Sequence, residues 1–178
     1  MISVIRPPKI VKTDHVIFLA GPIQGAPDWH LEAVEHLREL YMSEINLKDF
    51  HIACPKRLAV SDEEFNYDEQ IAWETHYLNA AAQTGGIMFW LAKEEEQIPG
   101  RAYGQTSRFE LGEWKARVQI LNKLKKLFDE KTTIKMVVGI QQGFSGRRYL
   151  IKRLSEDVPE VMLCETLEET CKALYQIL

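Results

Sequence analysis

The sequence predicts an α/β fold, a parallel sheet with helices on both faces, and three observations lead there. Short apolar runs of strand length alternate with longer segments of helical period. Several of these runs end at once in turn residues, as at Gly21-Pro22 and Pro55. The run Gly86 to Ala92 is apolar almost throughout, the pattern of a strand buried on both faces. A strand–helix unit repeated five times is most economically a parallel sheet of five strands.

Each element has its own signal. His15 to Ala20 is the first strand, closed by Gly21-Pro22. Asp28 then caps a helix whose apolar positions Val34, Leu37, Leu40 and Tyr41 share one face. Phe50 to Cys54 is the second strand, stopped by Pro55, and a polar loop over 56–66 leads into a helix from Asp68 to Gln83. Gly86 to Ala92, the most apolar strand, belongs at the sheet centre. A long loop, Lys93 to Gln105, precedes a helix from Ser107 to Glu130; loops of that length are usually functional. Ile134 to Ile140 is the fourth strand, Gln141 to Gly146 a turn, Arg147 to Ser155 a helix and Val161 to Cys164 the fifth strand. The last helix carries Leu167, Cys171, Leu174 and Leu178 along one stripe. With no repeat, linker or low-complexity stretch, residues 1–178 read as a single domain.

Composition excludes several functions. The net charge of −4 is spread along the chain, so no face for nucleic acid is expected. The one dense basic cluster, Lys123 to Lys126, reads as a solvated helix end. No run approaches the roughly 20 apolar residues of a membrane span, and residues 1–12 lack a signal-peptide core. Cys54, Cys164 and Cys171 are few, scattered and odd in number, which suits reduced thiols in a cytoplasmic protein. No metal-ligand spacing and no cofactor motif is present, nor a serine–histidine–acid set. An enzyme built from this chain works with carboxylates.

The run Gly100 to Trp114 is where such chemistry concentrates. It follows the central strand, and ligands of parallel sheets sit at the carboxyl ends of strands. Glu110 falls just inside a helix start, where the dipole favours an ionised acid, either a nucleophile or an anchor. Acids are also favoured there for stability alone. Thr106, Ser107 and Arg108 precede it and suit an anion or a sugar hydroxyl, while Glu113 and Arg117 form an i,i+4 surface pair. Gly21, Pro22 and Gln24 make a tight turn next to the same edge, without a nucleotide fingerprint. Asp68, Trp73 and Glu74 place aromatic and acidic groups on the helix after the second strand. Gln141 to Arg148 is a fourth loop at that edge, with arginines for an anion or for water.

Taken in order, these segments resemble the nucleoside 2-deoxyribosyltransferase-like family. Phe18 to Pro22 with Trp29 is similar to its first strand and turn, and Tyr67-Asp68 through Trp73-Glu74 to its second-helix motif. Ile87 to Leu91 matches its central strand and Thr106 to Trp114 its nucleophile segment, so the likeness spans nearly the whole chain. Val138-Gly139, Tyr149-Leu150 and Leu167 to Thr170 fit in order.

The resemblance implies a flavodoxin-like, doubly wound fold and a retaining transfer of 2-deoxyribose between bases without a cofactor. Glu110 would be the nucleophile, forming a covalent glycosyl-enzyme, and Glu74 a supporting carboxylate on a sugar hydroxyl or the base. Gly21, Pro22, Gln24, Trp29, Asp68, Trp73, Thr106, Ser107 and Arg108 would bind substrate. The partners implied are a deoxynucleoside, a free nucleobase and further copies of this chain, as a homo-oligomer. Two positions depart from the family pattern. Gln83 to Gly86 lacks the aspartate usual before the central strand, and Gly104 stands where characterised transferases carry an acid. Two other readings stay open: an N-glycosidase of deoxynucleoside 5′-monophosphates, and a nucleotide-binding protein without activity.

Overall fold

The computed structural model describes residues 2–43, 49–58, 65–128 and 132–178. Along the chain run β1 (Ile2–Ile5), β2 (Val16–Ala20), α1 (Trp29–Ser43), β3 (Phe50–Ala53), α2 (Tyr67–Thr84) and β4 (Gly86–Leu91). There follow α3 (Gln105–Phe128), β5 (Met136–Ile140), α4 (Arg147–Asp157), β6 (Met162–Cys164) and α5 (Leu167–Ile177). All six strands form one sheet in the order β1-β3-β2-β4-β5-β6, and every pairing is parallel.

The sheet has six strands, one more than the sequence predicts. The addition is β1, which lies at the edge and pairs Ile2 with Phe50 and Ile5 with Ala53 of β3. It is only four residues long and mostly half-buried, so it lacks the continuous apolar run that marks the inner strands. The segment after it crosses α2, where Trp73 Nε1 donates to Lys9 O (2.8 Å) and the Val11 amide to Tyr77 Oη (2.9 Å).

Side chains alternate across the sheet as pleating requires. Val16, Phe18 and Ala20 of β2 and Ile87, Phe89 and Leu91 of β4 face a core closed by α2, α3 and α4. Ile17, Leu19, Met88 and Trp90 face a second core closed by α1 and α5. Helices therefore cover both faces, and β2 and β4 are buried along their whole length. The expected stripes pack as read: Val34 and Leu37 of α1 and Leu167, Cys171 and Leu174 of α5 lie in the second core, with Leu40, Tyr41 and Leu178 at its margin.

Helix ends follow local chemistry. Asn66 caps α2 by accepting from the Glu69 amide (3.1 Å), so the expected start at Asp68 moves to Tyr67. Asp28 accepts from the Leu31 amide at the start of α1. Thr166 and Glu169 close a capping box on α5. Part of the expected loop over 56–66, and the far end of the helix expected to reach Glu130, lie outside the described residues. The three cysteines are free thiols, and no described helix is long and apolar enough to cross a membrane.

At Gly139 of β5, Thr170 of α5 and the Trp90 ring leave no room for a side chain. A Cβ there would lie 2.1 Å from Thr170 Oγ1 and 2.4 Å from the Trp90 ring. Gly139→Ala should cost about 1–3 kcal/mol of stability by overpacking, read as a lower denaturation midpoint. An unchanged midpoint would mean that α5 has slack over β5.

Candidate active site

The strand order reverses its direction of growth between β2 and β4: β3 lies outside β2, while β5 and β6 follow outward from β4. Such a switch point leaves a crevice at the carboxyl ends of the two strands. A cavity of about 550 Å³ opens there. Its walls come from the segments after β2, β3 and β4, from α2 and from the start of α3.

Close backbone contacts hold these walls. A Cβ on Gly21 would come within 2.2 Å of Trp90 O, so only glycine lets the β2 turn lie against β4. Trp29 Nε1 donates to Pro22 O (2.8 Å), fixing the turn from behind, and its ring stacks on His30 at 3.6 Å. Gly25 O accepts from the amides of Glu95 (2.8 Å) and Glu96 (3.1 Å), which ties the loop after β4 to the loop after β2. The other end of that loop is anchored by Tyr103, whose hydroxyl donates to Ala92 O (2.8 Å). Burial raises that phenol above its usual range and keeps it a donor.

Two carboxylates line this cavity from different helices, near enough for the charge of Glu74 to act on Glu110. Glu74 projects from α2, whose Trp73 and Tyr77 are buried against the sheet. Glu110 projects from α3, held by the buried Leu111, Trp114 and Val118. Glu74 Oε1 accepts from Gln70 Nε2 (2.7 Å), and Gln70 Oε1 accepts from Arg57 Nε (2.8 Å). Burial raises the Glu74 carboxyl, while the Gln70 hydrogen bond and the Arg57 charge pull it back. Glu110 is pushed up to about 8, first by burial, then by the charges of Glu74 and Glu113.

That overturns the expected ionised Glu110. Helix α3 begins at Gln105, so Glu110 lies in its second turn, where the helix dipole has faded. Burial and the facing acid then dominate. Near neutral pH Glu110 therefore keeps its proton, available to a basic atom in the cavity.

The remaining residues divide cleanly. Gly21, Pro22, Gln24, Glu74, Thr106, Ser107 and Glu110 all line the cavity. Trp29 and Trp73 lie behind it as core, 2 % and 1 % exposed. Asp68 is exposed on the first turn of α2, and Arg108 stacks on Phe144, 4.4 Å from its centroid; neither lines the cavity. The loop after β5 also stays off the lining, since Arg147 is bound to Ile140 O and to Glu165. Gln70, Arg57 and Tyr103 line the cavity without having been singled out from sequence. A glutamine one helical turn before an acid was the available signal for the first.

No protein-family model and no curated protein matches this chain, so its chemistry is read from the site itself.

The Glu110 proton has a measurable effect on stability. Its carboxyl binds a proton more tightly folded than unfolded, from about 4.5 to about 8. The stabilisation is complete below the unfolded value and is lost as pH rises through the folded one. Glu110→Gln should therefore match the wild type near pH 4 and exceed its stability at pH 8.5 by about 4 kcal/mol. Parallel unfolding curves across that range would show that Glu110 titrates normally.

Proposed function

We propose that this chain is a nucleoside 2-deoxyribosyltransferase-like enzyme of flavodoxin-like fold, moving 2-deoxyribose between nucleobases. The observation that carries the reading is the pair of facing carboxylates, Glu74 and Glu110, in a cavity at the β2/β4 switch point. N-glycosyl transfer needs a proton for the departing base and an anion for an oxocarbenium-like centre. A pair holding one proton provides both in sequence. The base takes the proton, and an oxygen of Glu110 bonds to C1′ as the C1′–N bond breaks and its electrons leave with the base. A second base then attacks C1′ from the face the first one left, releases Glu110 and returns a proton to the pair. Glu74, ionised and fixed, binds a sugar hydroxyl or the base edge meanwhile.

One observation favours a second reading. Ser107 is 4 % exposed, lines the cavity one turn before Glu110 and bonds to no described residue through its hydroxyl. With the first-turn amides of α3 it suits a 5′-phosphate, as an N-glycosidase of deoxynucleoside 5′-monophosphates would require.

Incubation with deoxyinosine or thymidine, and in parallel with their 5′-monophosphates, plus adenine, following new nucleosides and free base together, tests both. Transfer predicts deoxyadenosine, with turnover falling above about pH 8 as the pair loses its proton. Base release that needs a 5′-phosphate supports the glycosidase, and neither product leaves a binding protein. Glu110→Ala should abolish turnover with the fold intact; an active variant removes the nucleophile from this account.

The same reading includes a homo-oligomer. Phe109, beside the nucleophile, is 75 % exposed, and Ile120 and Leu127 extend apolar surface along α3. Light scattering should give more than one chain per particle; a monomer would refute the oligomer.

A further inference from the structure

Gln70 is 8 % exposed, yet its side chain is an amide, and every polar atom of that amide is used. Nε2 donates to Pro55 O (3.0 Å) and to Glu74 Oε1 (2.7 Å), while Oε1 accepts from Arg57 Nε (2.8 Å). Only this orientation works. Turned over, the amide would set its N–H groups against the Arg57 donor and its oxygen against two acceptors. Arg57 is itself held by Glu69 (3.1 Å) and stands over the Phe65 ring at 5.3 Å.

The two carboxylates are consequently unequal. One oxygen of Glu74 is occupied by an N–H, with a cation behind it, and both favour the ionised form. Glu110 receives no hydrogen bond from any described residue and faces the charges of Glu74 and Glu113. Among the described residues, the other charged groups around the cavity leave this asymmetry in place. Lys56, after β3, pairs with Asp28 (2.8 Å), and Glu113 pairs with Arg117. Glu94, Glu96 and Arg101, on the segment after β4, line the cavity without bonding either carboxylate, and the β2 turn contributes no charge.

We propose that Gln70 is a positioning residue: with Arg57 behind it, it fixes the Glu74 carboxylate so that the single proton of the facing pair rests on Glu110 while the cavity is empty. This deepens the proposed transfer reaction and rests on the pair being its reacting groups. It explains why a buried amide, rather than an apolar side chain, occupies the turn of α2 before Glu74. It also assigns distinct resting states to two acids of the same type: Glu74 the fixed anion, Glu110 the proton holder.

The test is a carboxyl ¹³C NMR titration of the full chain with labelled glutamate, signals being assigned with Glu74→Gln and Glu110→Gln. In the wild type Glu110 should titrate after Glu74. In Gln70→Leu the Glu74 midpoint should rise by about one pH unit or more and the Glu110 midpoint should fall. Arg57→Met, which leaves the amide in place, should shift Glu74 in the same direction by less. A folded Gln70→Leu with wild-type midpoints overturns the proposal, as does a wild type in which Glu74 titrates last. Should Gln70→Leu fail to fold, Arg57→Met decides, and an unmoved Glu74 midpoint refutes the role. No turnover is measured, so inactivity toward nucleosides would refute the reaction without touching this result.

Discussion

β2 and β4 lie side by side at the centre of the sheet, paired from Ile17–Gly86 to Ala20–Phe89, with every side chain of both strands buried. That pairing constrains the rest. From β2 the chain goes on to build β3 on one side, and from β4 it builds β5 and β6 on the other. The segments leaving the two strands diverge, and the space between them cannot be filled by either connection. The close approach of Gly21 to Trp90 and the bonds of Gly25 O to the Glu95 and Glu96 amides set the shape of that space. Trp29 and Tyr103 brace it through carbonyl oxygens of the same loops.

Into this space the sheet delivers two acids from helices on one face. α2 and α3 share the core of Phe18, Phe89 and Val138, so their inner residues are set by packing, and Glu74 and Glu110 are carried along at its rim. Burying like charges together is unfavourable in itself. The structure offsets this for Glu74 alone, through Gln70 and Arg57. Glu110 is left to hold a proton instead. A local violation of charge satisfaction, confined to one cavity in an otherwise consistent fold, is characteristic of a functional site.

Legibility from sequence varied with the range of the interaction involved. The inner strands were readable because strands buried on both faces must be apolar throughout, as in β2 and β4. β1 was not, since an edge strand needs to bury little and its four residues merge into a proline-bearing segment. The family resemblance places Trp29 and Trp73 among the substrate-binding residues, yet each ring is core and its indole N–H donates to a backbone carbonyl, that of Pro22 and of Lys9. Asp68 marks the expected helix start, yet the helix begins at Tyr67 because Asn66 supplies the cap.

By itself the sequence determined the type and order of the elements from β2 onward, and which helix carries each acid. Those properties follow from periodicity and turn chemistry within a few residues. Only the tertiary structure decided that Glu74 and Glu110 line one cavity, that Gln70 holds one of them, and where their proton rests. Glu110 at a helix start is an anion by local reasoning. In the folded protein, burial and a charge from another helix act on it more strongly than the dipole of its own.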